Sequence, residues 1–167
     1  LKAKQMSRRF KFLATAAALA LSLCACAGQN GDAADQAAKS AAYMTQVAAK
    51  PGILKLPSGV QYEIVKSGAA TGPHPRPIDE VKVHYEGKLI DGKVFDSSFE
   101  RGVPATFPLN QLIPAWIEAL QQMRPGDEWR LYVPPEQGYG AQGAGDIPPN
   151  SVLIFRIELL DVLPAGS

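Results

Sequence analysis

With 167 residues the chain has room for one sizeable hydrophobic core and short appendages. Its 17 Lys+Arg and 16 Asp+Glu nearly cancel, but residues 1–25 hold five of the basic residues and no acid, leaving 12 basic against 16 acidic residues downstream. That net −4 remainder carries no Lys/Arg cluster, which disfavours a nucleic-acid partner and supplies no basic face for an anionic membrane.

Residues 1–25 read as a leader. Lys2, Lys4, Arg8, Arg9 and Lys11 precede the apolar run Phe12 to Leu23. The run is shorter than the ~20 residues of a membrane span and is patterned like a secretory signal. The segment Leu23-Cys24-Ala25-Cys26-Ala27-Gly28 resembles a bacterial lipobox. That resemblance implies a lipid on Cys26, which becomes the first residue of the mature chain, and membrane attachment through that lipid alone. Ala27 after the cysteine, in place of Asp, points to the outer membrane facing the periplasm. A soluble signal cleaved nearby is the alternative. Cys24 and Cys26 lie too close for a disulfide framework and lack partners at metal-ligand spacing, so no metal site is expected.

Residues 26–50 read as a linker and a short Ala-rich helix. Gly28-Gln29-Asn30-Gly31-Asp32 is polar and turn-rich, and is expected to be disordered. Ala33 to Lys50 contains no Gly or Pro, with Asp32 placed to cap it and Pro51-Gly52 to end it. Only Tyr43, Met44 and Val47 are bulky and apolar, so the helix is expected to bury little and act as a spacer. A monomer is expected over a dimer.

Residues 51–167 read as the folded domain. Val60 to Val65 alternates as a strand, and Ser67 to Pro77, with three prolines, is a rigid surface loop. Val81, Val83 and Tyr85 alternate with Lys82, His84 and Glu86, the period of a half-buried strand. Asp91-Gly92 predicts a tight hairpin with φ > 0 at both positions, and the returning arm brings Phe95 and Asp96. Pro114 opens a helix on which Trp116, Ile117, Leu120 and Met123 recur at helical spacing, and Arg124-Pro125-Gly126-Asp127 stops it. Trp129 to Val133 and Val152 to Leu163 are further strands, the last carrying Phe155. The fold class is α+β: an antiparallel sheet that must bury one face, with the Trp116 helix as the internal element able to cover it. The aromatics, one acid and the hydroxyl in Gly138-Tyr139-Gly140, with Ile147-Pro148-Pro149, describe an aromatic-lined pocket without a nucleophile or metal cluster.

Tyr62 to Leu163 resembles the FKBP-type peptidyl-prolyl isomerases in motif order over roughly the last hundred residues. Pro57 to Tyr62 is similar to the domain entry of secreted bacterial members of the macrophage-infectivity-potentiator type. The resemblance implies a twisted antiparallel half-barrel wrapped around the Trp116 helix, no cofactor, and isomerisation of X–Pro bonds in unfolded or exported polypeptides. It implies macrolides as inhibitors. It makes Trp116 the floor under the proline ring, and Tyr85, Phe95 and Phe155 the walls. Leu112 and Ile113 become the rim, with the Ile113 N–H facing a ligand carbonyl, and Ile147 the far side. Tyr139 supplies a hydroxyl to a substrate carbonyl, and Asp96, partnered by Arg101, the acid facing the twisting amide. Two positions depart from the family pattern. Ala105 stands where an aromatic is usual, with Phe107 following on the same strand face, and the loop Ala141 to Asp146 lacks a bulky side chain, both widening the rim.

Each residue also has a plainer reading. Trp116 and the other aromatics could be ordinary core, and Asp96 could cap a turn with Ser97-Ser98. His84 and His74 are read as structural. A proline-peptide-binding chaperone module without catalysis is the alternative function.

Overall fold

The computed structural model describes residues 27–165. The leader and Cys26 lie outside the described residues. Helix α1 spans Ala27–Ala48. It is followed by β1 (Leu54–Lys55), β2 (Gln61–Lys66), β3 (Glu80–Leu89), β4 (Val94–Ser97), the one-turn α2 (Ser98–Arg101) and β5 (Ala105–Pro108). A 3-10 turn at Leu109–Gln111 leads into α3 (Pro114–Leu120), then β6 (Glu128–Val133), a second 3-10 turn at Pro135–Gln137 and β7 (Leu153–Leu163).

All pairings in the sheet are antiparallel, in the order β1-β2-β6-β7-β3-β4. The ten-residue β3 is long enough to serve two partners on one edge. β5 pairs with Glu80 to Val83, and β4 with Glu86 to Lys88. The alternation predicted for β3 holds, with Val81, Val83 and Tyr85 buried. Buried positions of β3, β6 and β7 face α3, whose Ala115, Trp116, Ala119 and Leu120 are buried against them, and Met123 completes the contact one turn beyond the helix.

The hairpin between β3 and β4 differs from the expected two-residue turn. Gly92 has φ 90°, whereas Asp91 is not in the left-handed region. Gly92 N–H donates to Leu89 O, and Leu89 N–H to Lys93 O. These bonds close a three-residue loop, a type I turn followed by a left-handed glycine. Asp91 instead accepts the Lys93 N–H on its carboxylate, a local bond that Asp makes without leaving the right-handed region.

Two carboxylates anchor the loops, Asp79 buried and Asp127 half-buried. Asp79, 2% exposed, accepts from the Arg76 N–H and guanidinium and from Ala165 N–H. The Arg76 hydrogen bonds hold its carboxyl well below the usual carboxylate range. Asp127 accepts from Gly68 N–H and Arg124 N–H, and His74 bonds Met123 O, so the Pro-rich loop is pinned to the end of α3.

The amino-terminal helix is the main departure. It starts at Ala27, so the segment expected to be disordered is helical, and Asp32 lies inside the helix and does not cap it. Nor is α1 a free spacer. Ala33, Gln36, Ser40, Tyr43, Met44 and Val47 form the covered stripe. Val47 is fully buried with Tyr132 and Ile154, on the sheet face away from α3. Gln61 Nε2–H donates to Met44 O. Few apolar residues suffice because Tyr43, Met44 and Val47 fall on one stripe and meet Tyr132 and Ile154 together. Among the described residues no helix is long and apolar enough to cross a membrane.

Val47→Ala is therefore expected to destabilise the chain by about 1.5 kcal/mol, at ~0.8 kcal/mol per buried methylene. Urea denaturation checks this; an unchanged midpoint would mean that α1 is not docked in solution.

Candidate active site

The site grows from a helix too short to stand alone. Seven residues are below the length at which helices persist in water, so α3 is held by what its side chains touch. Ile113, extended at φ −61° and ψ 149°, precedes Pro114 at the first helical position. Proline there loses no helical hydrogen bond. Ile113 O accepts from Trp116 N–H and Ile117 N–H, while Ile113 N–H has no acceptor among the described residues.

Trp116, 4% exposed, lies among ring edges. Tyr85 stands 5.3 Å away at 81°, Phe155 5.2 Å at 84°, and Phe107 6.3 Å at 77°. Phe95 meets Phe155 edge-on at 5.7 Å. Such T-shaped pairs set the positive edge of one ring against the negative face of another. Together they border an open pocket of about 610 Å³, within the range of small-ligand sites.

Phe95 and Asp96 are neighbours on β4, yet both line the pocket. The register explains how. Gly87 pairs with Asp96 and Lys88 with Val94, so Phe95 is the extra residue of a β-bulge. A bulge breaks strict alternation and re-aims a side chain. Gly87 makes the space for it: a Cβ there would fall 2.6 Å from the Phe95 ring and 2.8 Å from the Phe155 ring.

Beside the aromatics sits one charge cluster. The Asp96 carboxylate accepts from the Tyr85 hydroxyl and the Arg101 guanidinium, and Arg101 Nη2–H also donates to Tyr85 Oη at 3.0 Å. Burial opposes ionisation of Asp96, but the hydrogen bonds from Tyr85 and Arg101 outweigh it and hold its carboxyl below the usual range. Burial and the Asp96 bond push the Tyr85 hydroxyl up. Arg101 borders Asp96 from outside and does not line the pocket. The turn-capping role weighed for Asp96 is filled by Ser97, whose Oγ accepts from Glu100 N–H, while Gly102 at φ 70° closes α2. Buried Ser98 fixes the other side: its Oγ accepts from Tyr85 N–H at 2.7 Å and contacts His84 Nδ1 at 3.0 Å. His84 stacks on Phe99 and has a structural place.

The remaining walls come from two loops. Leu112 and Ile113 line the rim together with Gln111. Tyr139, 40% exposed, and Ile147, 7% exposed, line the far side with Ala144 and Gly145. All ten aromatic, aliphatic and polar positions singled out in the domain are thus gathered here, nine lining the pocket and Arg101 behind Asp96. Phe107 and Gln111 also line it but were not among the candidates. Contacts with both Tyr85 and Trp116 make Phe107 a wall.

The sheet, helix α3 over its core face and the aromatic slot define an α+β half-barrel domain with a cleft between helix and strands. Residues 72–160 match the family described as FKBP-type peptidyl-prolyl cis-trans isomerase, and residues 3–64 the domain amino terminal to it. The chain belongs to the FKBP-type peptidyl-prolyl cis-trans isomerases. It is 51% identical over 127 residues to a peptidyl-prolyl cis-trans isomerase Mip of Coxiella burnetii, covering 75% of this chain and 54% of that protein. It is 47% identical over 138 residues to an outer membrane protein MIP of Legionella longbeachae, covering 82% and 58%. The crystal structure of FkpA from Escherichia coli superposes with a TM-score of 0.79 at 44% identity, covering 84% of this chain and 65% of that one. The chain spans about half the length of the curated relatives it matches.

Gly87→Ala is expected to push the Phe95 and Phe155 rings into the pocket. Binding of a short proline peptide, followed by tryptophan fluorescence, should weaken, and the fold should lose roughly 1–3 kcal/mol through overpacking. Unchanged binding in a folded variant would show that the rings yield elsewhere.

Proposed function

We propose that this chain catalyses cis–trans isomerisation of the peptide bond before proline in unfolded or exported polypeptides of the bacterial cell envelope. The observation that carries the reading is the slot itself: a flat buried ring, Trp116, framed by aromatic edges, with a single carboxylate already committed to two donors.

Rotation about the bond costs about 18–20 kcal/mol because it breaks amide resonance. Resonance places negative charge on the carbonyl oxygen and positive charge on nitrogen, and water stabilises that planar form. An aromatic slot solvates it less well and so favours the twisted, less polar state. Trp116 carries the pyrrolidine ring, with Tyr85, Phe95 and Phe155 around it. The Ile113 N–H and the Tyr139 hydroxyl take substrate carbonyls at the rim, which fixes orientation. With both oxygens engaged, Asp96 acts through its field on the twisting amide and not as a proton acceptor. Arg101 and Tyr85 hold it in place. No cofactor enters this scheme. The uncatalysed event takes roughly 10–100 s, slow enough to limit folding after export. Macrolides are the inhibitor class the same slot would take, and Ala144 and Gly145 leave its rim wide. The reading takes the chain as a monomer.

Asp96→Ala is expected to lower kcat/KM in a protease-coupled proline-peptide assay while circular dichroism stays native. Tyr139→Phe should cost less than tenfold, about 1 kcal/mol for one hydrogen bond. A folded Asp96→Ala chain with wild-type turnover would overturn the role of Asp96. Binding of the peptide by the unaltered chain without turnover would select a non-catalytic, proline-binding chaperone.

The same proposal places the protein at the outer membrane, facing the periplasm, with a lipid on Cys26 after removal of residues 1–25. The basic head, apolar run and small-residue approach to Cys26 support it. One acyl chain holds a membrane only marginally, whereas several hold it firmly. Mass spectrometry of the mature amino terminus should find Cys26 first and acylated; an unmodified Cys26 would remove the anchor.

A further inference from the structure

We propose that Ser40 and Asn150 are positioning residues, through which helix α1 sets the place of the loop carrying Tyr139 and Ile147 and so the fit of the slot to its peptide. The proposal rests on the isomerase reading of that slot.

The loop between the second 3-10 turn and β7 forms one wall of the pocket. Its internal bonds give it shape: Gly143 N–H donates to Tyr139 O, and Ala144 and Ile147 exchange two backbone bonds. They do not fix where that shape sits. Its base is closed by Asn150, whose N–H donates to Gly140 O at 2.9 Å, one residue from Tyr139. Asn150 has φ 57°, the only non-glycine residue with positive φ among the described residues. Asn tolerates this conformation better than most residues, and here it turns the chain from the loop into β7.

Two other polar groups of Asn150 bond to α1. Its carbonyl accepts from Ser40 Oγ–H at 2.6 Å, and its Nδ2–H donates to Ala33 O at 3.2 Å. Ser40 Oγ also accepts from Val152 N–H at 3.3 Å. Ser40 is 2% exposed on the covered stripe of a helix otherwise rich in alanine. Alanine would be the better helix former there, so helix propensity does not account for the hydroxyl. It bridges the two backbone groups that flank Ser151, between the loop and the strand bearing Phe155. The helix is an independent reference, because Val47 and the Gln61–Met44 bond tie its far end to the sheet. Position thus passes from sheet to helix, and from helix to loop base.

Ser40→Ala in the full chain is the first test. KM for a short proline peptide is expected to rise roughly 3- to 10-fold with kcat within about twofold, as for loss of a hydrogen bond that orients substrate. The effect should shrink in an Ile147→Ala background, where the wall is already lost, and stay additive with Asp96→Ala across the pocket. A helix that mattered only for stability would lower the melting temperature and leave KM alone. Unchanged KM, or an equal effect in the Ile147→Ala background, overturns the proposal. Asn150→Asp keeps a residue that tolerates positive φ and replaces the donor to Ala33 O by a carboxylate oxygen that repels it; it carries the test if Ser40→Ala does not fold. Amide hydrogen exchange needs no turnover. Protection at Gly143, Ala144 and Ile147 should fall in either variant while that of β3 is kept, and unchanged loop protection overturns the proposal. If the unaltered chain isomerises no proline peptide, the isomerase reading fails, and the exchange result still decides whether α1 places the loop.

Discussion

The edge-to-face packing around Trp116 is the contact on which the rest of the domain depends. A seven-residue helix has no independent stability, so α3 exists because its buried face meets the sheet. Trp116 meets rings from β3, β5 and β7, and Ala115, Ala119 and Leu120 are buried beside it. The same rings face the pocket on their other side. The core and the site are therefore not separate layers: the contacts that order the helix also leave a dry, flat surface open at one end. Edge-to-face geometry matters for this. Offset stacking of the same rings would fill the space more completely, whereas perpendicular rings stand as walls around a floor.

Charge has to be kept near this apolar slot without flooding it. The arrangement Arg101–Asp96–Tyr85 does so by saturating the carboxylate from two sides. Arg101 and Asp96 are about half exposed, at 50% and 41% of their side chains, and such ion pairs contribute little to stability. Their consequence is orientation. Tyr85 donates to Asp96 and accepts from Arg101, so its ring is fixed at the hydroxyl as well as at its edges. The wall that supports Trp116 is thereby tied to the group that supplies the field.

Periodicity made the sheet legible: β3 alternates because one face is buried, and register follows from that burial, while β7 opens with three buried residues because α1 covers Ile154. The Trp116 helix was legible from spacing and from Pro114. What escaped depended on contacts distant in sequence. The start of α1 at Ala27 contradicts the local preference of Gly28 to Asp32, and its docking depends on Tyr132 and Ile154, about a hundred residues away. The bulge at Phe95 arises from pairing with β3, and no local signal marks it. Asp91 kept right-handed backbone because a glycine at the third loop position absorbed the positive φ. The site residues were legible only jointly. Each aromatic alone reads as core, and Phe107 was passed over because its role appears only when β5 is laid beside β3.

The loop Ala141 to Asp146 shows how one sequence feature serves two physical ends. Its lack of bulky side chains reads as a wide rim, and Ala144 and Gly145 do border the opening. Packing requires a glycine at one of its positions as well. Gly143 has φ 66°, and a Cβ on it would fall 2.3 Å from Ile147 O. Any larger residue would force the chain apart where Ala144 and Ile147 exchange bonds. The tight return carries Ile147 back to the pocket at 7% exposure while Tyr139 stays at 40%. A bulkier loop could not close the far wall in so few residues. The close backbone approach at Gly143 thus places Ile147, while the exposed Ala144 and Gly145 beside it leave the rim wide.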